Sequence, residues 1–267
     1  MQRYFIALLF FYLIAGNGCS KYAATNRVYR QQARAFAKML KQQPNAIDST
    51  PAPGFWAGTT NFGMRKPNFV IVHHTAQNAC DSTLRTFTLP ATQVSAHYVI
   101  CKDGTIHHML NDYLRAWHAG NSRWGNLADV NSSSIGIEID NNGFEPFTEA
   151  QVNSLLVLLK KLKKDNNIPT GNFIGHSDIA PKRKVDPSRY FPWQQLAKNG
   201  FGNWYDTTAV QLPASFDAIQ SLRVIGYDTR DSTAAIRAFK LHFVPQDTLP
   251  VLTEADKKII YNLGSKY

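Results

Sequence analysis

Short apolar runs separated by polar punctuation organise the chain from residue 68 onward, and two periods are distinguishable in them. Residues 69–73 (FVIVH), 134–140 (SIGIEID) and 172–176 (NFIGH) are too short for helices and rich in β-branched or aromatic side chains, so they read as strands. In 134–140 the strand period places Ile135, Ile137 and Ile139 on one side and Gly136, Glu138 and Asp140 on the other. Residues 97–102 and 105–108 flank Asp103 and Gly104, a strong hairpin signal. A different period begins at Thr148, which reads as an N-cap with Gln151 three places on. Val152, Leu155, Leu156, Leu159 and Leu162 follow at helical spacing. The basic stretch 160–164 lies at the negative end of that helix and needs no functional explanation.

After Trp204 the pattern becomes helical throughout. Residues 214–225, 233–243 and 253–263 predict three short helices, with Gly226-Tyr227 and residues 245–250 as connections. Strands mixed with helices predict an α/β fold, a mixed central β-sheet flanked by helices, with a small C-terminal three-helix domain behind it. The length of 267 residues suits one main domain with a smaller appendage.

The first 60 residues differ in character. Arg3 precedes an apolar run over 4–15, which is too short to span a membrane and reads as a secretion signal, removed on export. Small residues lead to Cys19. The arrangement resembles a bacterial lipoprotein signal, which implies cleavage after residue 18 and lipidation of Cys19, although Gly16-Asn17-Gly18-Cys19 departs from the usual Leu-Ala-Gly-Cys pattern. Residues 27–41 predict a basic helix, read as solvated, and 42–58, with Pro44, Pro51 and Pro53, a tether. The expected organisation is therefore a signal peptide (1–18), a lipid-anchored tether with an N-terminal helix (19–60), a catalytic domain (61–206) and a helical domain (207–267).

Composition narrows the partners. Hydrophobic residues make up 44% and charged ones 18%, which excludes bulk disorder. The formal charge of +10 favours anionic partners. The positive charge is spread along the chain without a basic helix-and-aromatic ladder, so no nucleic acid is expected. A cell wall or a membrane fits better.

Candidate chemistry concentrates at 174–187, IGHSDIAPKRKVDP, where Pro181 and Pro187 interrupt any helix and His176, Asp178, Lys184 and Asp186 stand close together. Imidazole and carboxylate are both zinc ligands, and a catalytic zinc takes three protein ligands and keeps one position open. His176 and Asp186 are two candidates, and His73 or His74 offers a third at the end of another apolar run.

The ordered set IVHHTA, SAHYVICKDGTI, RAWHAG, SIGIEI, FIGHSDIAPKRKVDP and FPW resembles the type 2 N-acetylmuramoyl-L-alanine amidases, relatives of the peptidoglycan recognition proteins, and among them the outer-membrane lipoprotein branch. The resemblance covers about residues 68–204. It implies a Zn2+ enzyme cutting the amide between N-acetylmuramic acid, or its anhydro form, and the L-alanine of stem peptides. Zinc ligands would be His73, His176 and Asp186, with His74 as a wall or supporting residue and Asp178 structural. Glu138 would be the general base and Lys184 the oxyanion donor. His97, Arg115, Trp117, His118 and Asn121 would line a substrate groove, with Trp117 equally fit for a core. Some relatives carry a catalytic tyrosine where this chain has Ala96. Residues LRVIGY and AAIRAFKLHF resemble a small peptidoglycan-binding domain, or else form a helical cap. A monomer, lipid-anchored in the bacterial envelope and facing the periplasm, is implied. The alternative is a non-catalytic peptidoglycan receptor on the same fold, which typically lacks a ligand. An unrelated zinc peptidase would need an H-E-x-x-H helix, absent here. Cys80 and Cys101 fit either a disulfide or two buried thiols.

Overall fold

The computed structural model describes residues 21–42, 58–208 and 210–267. The signal segment 1–18 and Cys19 lie outside the described residues. The described residues fall into two units, one before residue 63 and one from 63 to 267. In the first, a helix α1 (Ala23–Leu40) occupies the predicted basic stretch.

The second unit is built on strands β1 (Phe69–His74), β2 (Tyr98–Ile100), β3 (Ile106–His108), β4 (Ser134–Ile139) and β5 (Phe173–Gly175) in the order β3-β2-β4-β1-β5. β1 runs parallel to both β4 and β5, β4 runs parallel to β2, and β3 is antiparallel to β2 through the Asp103-Gly104 turn. Gly104 has φ +85, and a Cβ there would sit 2.8 Å from the Ala150 carbonyl oxygen, so the predicted turn requires glycine. Helices fill the connections: α2 (Cys80–Thr88), the single turn α3 (Val130–Ser133), α4 (Glu149–Asn166), the single turn α5 (His176–Ile179) and α6 (Trp193–Lys198). α4 starts with the predicted capping box, in which Thr148 Oγ1 accepts from Gln151 N and Gln151 Oε1 accepts from Thr148 N. A disulfide joins Cys80 at the start of α2 to Cys101 just after β2.

Each face of the sheet has its own core. Ile135, Ile137 and Ile139 pack with Val70 and Val72 against Leu155, Leu158, Leu159 and Leu162 of α4. The opposite face presents Ile71 and Ile174 to three C-terminal helices, α7 (Ala218–Ile225), α8 (Ser232–Phe243) and α9 (Glu254–Gly264), through Leu222, Tyr227, Phe239 and Leu263. These helices therefore share a core with the sheet, and residues 63–267 pack as one unit with no break at 206. The opposite face is covered near Ile71 and Ile174, while His73 and Glu138, further along the same strands, remain beyond the apolar cover. A site at the carboxyl ends of parallel strands results.

Candidate active site

His73 and Glu138 are directly paired in the register of β1 and β4, so strand geometry alone brings both side chains to one face. β5 pairs with the other edge of β1 and delivers His176 one residue beyond its end. Instead of extending the strand, His176 opens the helical turn α5. The chain then returns through Ala180 to Asp186, whose carbonyl accepts from Ser177 N at 2.7 Å.

The hydrogen-bond network assigns a proton to one nitrogen of each imidazole. Ser134 Oγ donates to the Val130 carbonyl at 2.7 Å, so the same oxygen accepts from His118 Nε2 at 3.1 Å. His118 Nδ1 is then bare and accepts from His73 Nε2 at 3.1 Å. His73 Nδ1 is left without a proton. His176 reaches the same state independently, because its Nε2 donates to the Ala119 carbonyl at 3.1 Å. Burial first, and then the neighbouring His176, push His73 down to about 4, and burial holds His118 well below its ordinary value.

Three lone pairs converge as a result. His73 Nδ1 lies 2.9 Å from His176 Nδ1 and 3.1 Å from Asp186 Oδ2, and His176 Nδ1 lies 3.0 Å from the same oxygen. All three residues are buried. Two bare nitrogens and a carboxylate oxygen this close repel one another unless a cation lies among them, and the donor set can hold a metal ion. Among the described residues the other such cluster is Cys80, Cys101 and His107, whose two sulfurs are already joined to each other.

Glu138 stands at the rim of this cluster, with Oε1 4.0 Å from His73 Nδ1. Its Oε2 is buried and has no hydrogen-bond partner among the described residues. Burial, and secondarily the charge on Asp186, push the Glu138 carboxyl up to about 8, while the Lys184 ammonium opposes the shift. The charge of Lys184 also acts on His73.

The other predicted residues have separate positions. His97 is fully buried, its Nδ1 accepting from Gly136 N at 3.0 Å and its Nε2 donating to the Leu114 carbonyl at 3.0 Å. It fastens β4, and both ring nitrogens face the protein. His118 is likewise buried and supports His73 from behind. Trp117 is 52% exposed, against the core alternative. Arg115 pairs with Asp129 and Ser132, and the Asn121 carbonyl accepts from Arg183. His74 Nδ1 accepts from Ser188 N at 3.0 Å, which fits a supporting place. Asp178 is fully buried away from the lone-pair cluster, accepting from Gly175 N, Tyr227 Oη and His242 Nδ1, each at 2.7 Å.

Sequence reasoning missed the parts played by Ser134, Gly136, Tyr227 and His242. Gly136 allows the His118 ring to lie against β4, since a Cβ there would fall 2.4 Å from the ring. Gly136→Ala is expected to destabilise the fold by about 1–3 kcal/mol and to weaken metal retention by displacing His118, measurable by thermal unfolding with and without added zinc.

Comparison with known proteins agrees with this fold. Residues 63–189 match the N-acetylmuramoyl-L-alanine amidase family model. The N-acetylmuramoyl-L-alanine amidase AmiD of Escherichia coli is 35% identical over 208 residues, covering 66% of this chain and 74% of AmiD. The structure of AmiD from that organism, in complex with the substrate anhydro-N-acetylmuramic acid-L-Ala-D-gamma-Glu-L-Lys, superposes with a TM-score of 0.69 at 30% identity, covering 79% of this chain and 93% of that one. AmpDh3 of Pseudomonas aeruginosa, in complex with an anhydromuramic pentapeptide, gives a TM-score of 0.69 at 30% identity over 82% of this chain and 99% of its own. The mixed sheet with its flanking helices is thus the fold of known N-acetylmuramoyl-L-alanine amidases. The chain belongs to the N-acetylmuramoyl-L-alanine amidase family.

Proposed function

We propose that this protein is a zinc-dependent amidase that hydrolyses the bond between N-acetylmuramic acid, intact or in its anhydro form, and the L-alanine of a peptidoglycan stem peptide. The observation that carries the reading is the convergence of His73 Nδ1, His176 Nδ1 and Asp186 Oδ2 beside the unpartnered Oε2 of Glu138. Those three atoms would hold a zinc ion, which would supply Lewis acidity to the scissile carbonyl and lower the pKa of a bound water. Glu138 accepts the proton of the attacking water and returns it to the departing alanine nitrogen as the carbon–nitrogen bond breaks. Its raised proton affinity suits the return of the proton to the leaving nitrogen, and positive charge nearby opposes the shift. Lys184 supplies positive charge to the oxyanion that develops on the carbonyl oxygen. His118 and Ser134 fix the tautomer of His73 throughout.

Exposed Trp117 belongs to the groove wall in this reading, with Arg115 and Asn121 at its margin. The C-terminal helices contribute wall affinity rather than chemistry, since no metal-ready cluster occurs among the described residues after Trp204. Cys19 is the lipid attachment point, the protein acts in the cell envelope, and it works as a monomer. Fatty-acid labelling that disappears in Cys19→Ser is the expected result for the anchor. A wild-type chain that stays unlabelled removes it.

The activity is tested by digesting sacculi and a defined anhydro-muropeptide with zinc present and identifying the products by mass spectrometry. Free stem peptide with an L-alanine amino terminus and a peptide-free muramic acid carboxylate are expected. A cut between peptide residues or between sugars overturns the proposal.

A further inference from the structure

Helix α1 sorts its side chains with unusual strictness. At about 100° per residue, Arg27, Arg30, Arg34, Lys38 and the adjoining Lys41 fall within an arc of about 80°, and Val28, Tyr29, Phe36, Met39 and Leu40 within about 120° on the opposite side. Val28 and Phe36 are each 49% exposed, Met39 64% and Leu40 74%. None of the helix's residues is buried, so none of its large apolar side chains is taken up into a core among the described residues. No Asp or Glu occurs between residues 20 and 47. Thr25 and Gln32 share the apolar arc. A solvated helix, expected from the sequence, has no need of large apolar side chains gathered opposite its basic ones, and a core helix would bury them.

We propose that α1 lies on an anionic phospholipid surface, with Val28, Phe36, Met39 and Leu40 in the acyl boundary and its Arg and Lys side chains reaching phosphate groups. Charge complementarity selects this occupant: the helix face has only positive charges, and a bilayer supplies the apolar layer and the anions in adjacent planes. No described helix is long and apolar enough to cross a membrane, so α1 rests on the surface. The inference is independent of lipidation at Cys19 and of the catalytic reading.

The test uses purified residues 20–267, which lack the apolar run and carry no acyl chain, in flotation assays with phosphatidylglycerol-rich and pure phosphatidylcholine vesicles. Binding to the anionic vesicles alone, weakened by salt, is expected. Arg30→Glu with Arg34→Glu should lower it by about tenfold or more, and Phe36→Ser with Met39→Ser should lower it comparably. No flotation of the wild type, equal flotation with both lipids, or retention on sacculi but not on vesicles overturns the proposal.

A different observation, in the second unit, carries a second inference, which rests on the zinc reading above. Asp178 sits two residues after His176 and accepts from Gly175 N on the other side of it, so it braces the turn that presents this ligand. Its remaining donors, Tyr227 and His242, come from the C-terminal helical region, and the His242 ring stacks on Trp193 with centroids 3.9 Å apart. All four groups of this knot are buried. We infer that Tyr227 and His242 are positioning residues for His176, acting through Asp178, so that the C-terminal helices hold the metal site as well as cover the sheet.

Tyr227→Phe removes one donor and keeps the ring. It should speed zinc loss to a chelator by about tenfold or more, as substitutions behind metal ligands do, and His242→Phe should do the same. Leu263→Ala, buried in α9 and outside the knot, should lower thermal stability without changing that rate. Zinc release at the wild-type rate in both knot variants, or an equal acceleration in Leu263→Ala, overturns the inference. A wild type that holds no zinc at all instead overturns the catalytic reading.

Discussion

Glu138→Gln is expected to cut turnover of a defined muropeptide by about 10²–10⁴-fold, a barrier increase of about 3–5 kcal/mol, with zinc content unchanged. Glutamine keeps the size of the side chain and some hydrogen bonding but cannot take a proton from water. Losing a neutral binding contact in the same place costs nearer 1 kcal/mol, so the two roles separate clearly. Calorimetric affinity for the muropeptide should stay close to wild type, because Glu138 acts on the water rather than holding the peptide. A variant retaining more than about a tenth of wild-type turnover is incompatible with a general base at this position. The same variant separates catalyst from receptor: in a receptor, turnover is absent from the start and Glu138→Gln changes nothing measurable.

Asp186→Ala should abolish activity and metal binding together. Asp186 contributes the single oxygen that contacts both His73 Nδ1 and His176 Nδ1, so removing it takes away the only negative charge in the three-atom cluster. Two imidazoles remain, and the attraction for a divalent cation falls steeply. Metal analysis of the purified protein is expected to give about one zinc per wild-type chain and almost none in Asp186→Ala or His73→Ala. Full zinc in both variants would refute the ligand assignment. Chelation of the wild type should reproduce the loss, and added zinc should restore it.

Several elements were legible because their cause is local. The Asp103-Gly104 turn, the Thr148 capping box and the apolar stripe of α4 depend on neighbours within a few residues, and each occurs where the pattern placed it. The strand alternation in 134–140 also sufficed to separate Glu138 from its flanking isoleucines. The ring partners of His97 were not legible, because a histidine in an ordered motif has the same sequence signature whether it faces a substrate or a backbone amide. Only the pairing of β2 with β4 shows that its ring bonds Gly136 N.

The sequence by itself determined the class of fold, the short strands and capped helices, and the residue types able to hold a metal, since period, propensity and donor chemistry are properties of the chain alone. Tertiary structure decided which histidines act as donors and which as bare acceptors. A tautomer is set by partners far away in sequence: Ser134 for His118, His118 for His73 and Ala119 for His176. It also decided that Tyr227 and His242, from the C-terminal region, bond Asp178, contacts spanning 49 and 64 residues that no local pattern encodes. Long-range burial and hydrogen bonding, absent from any short window of sequence, are the physical reason for that division.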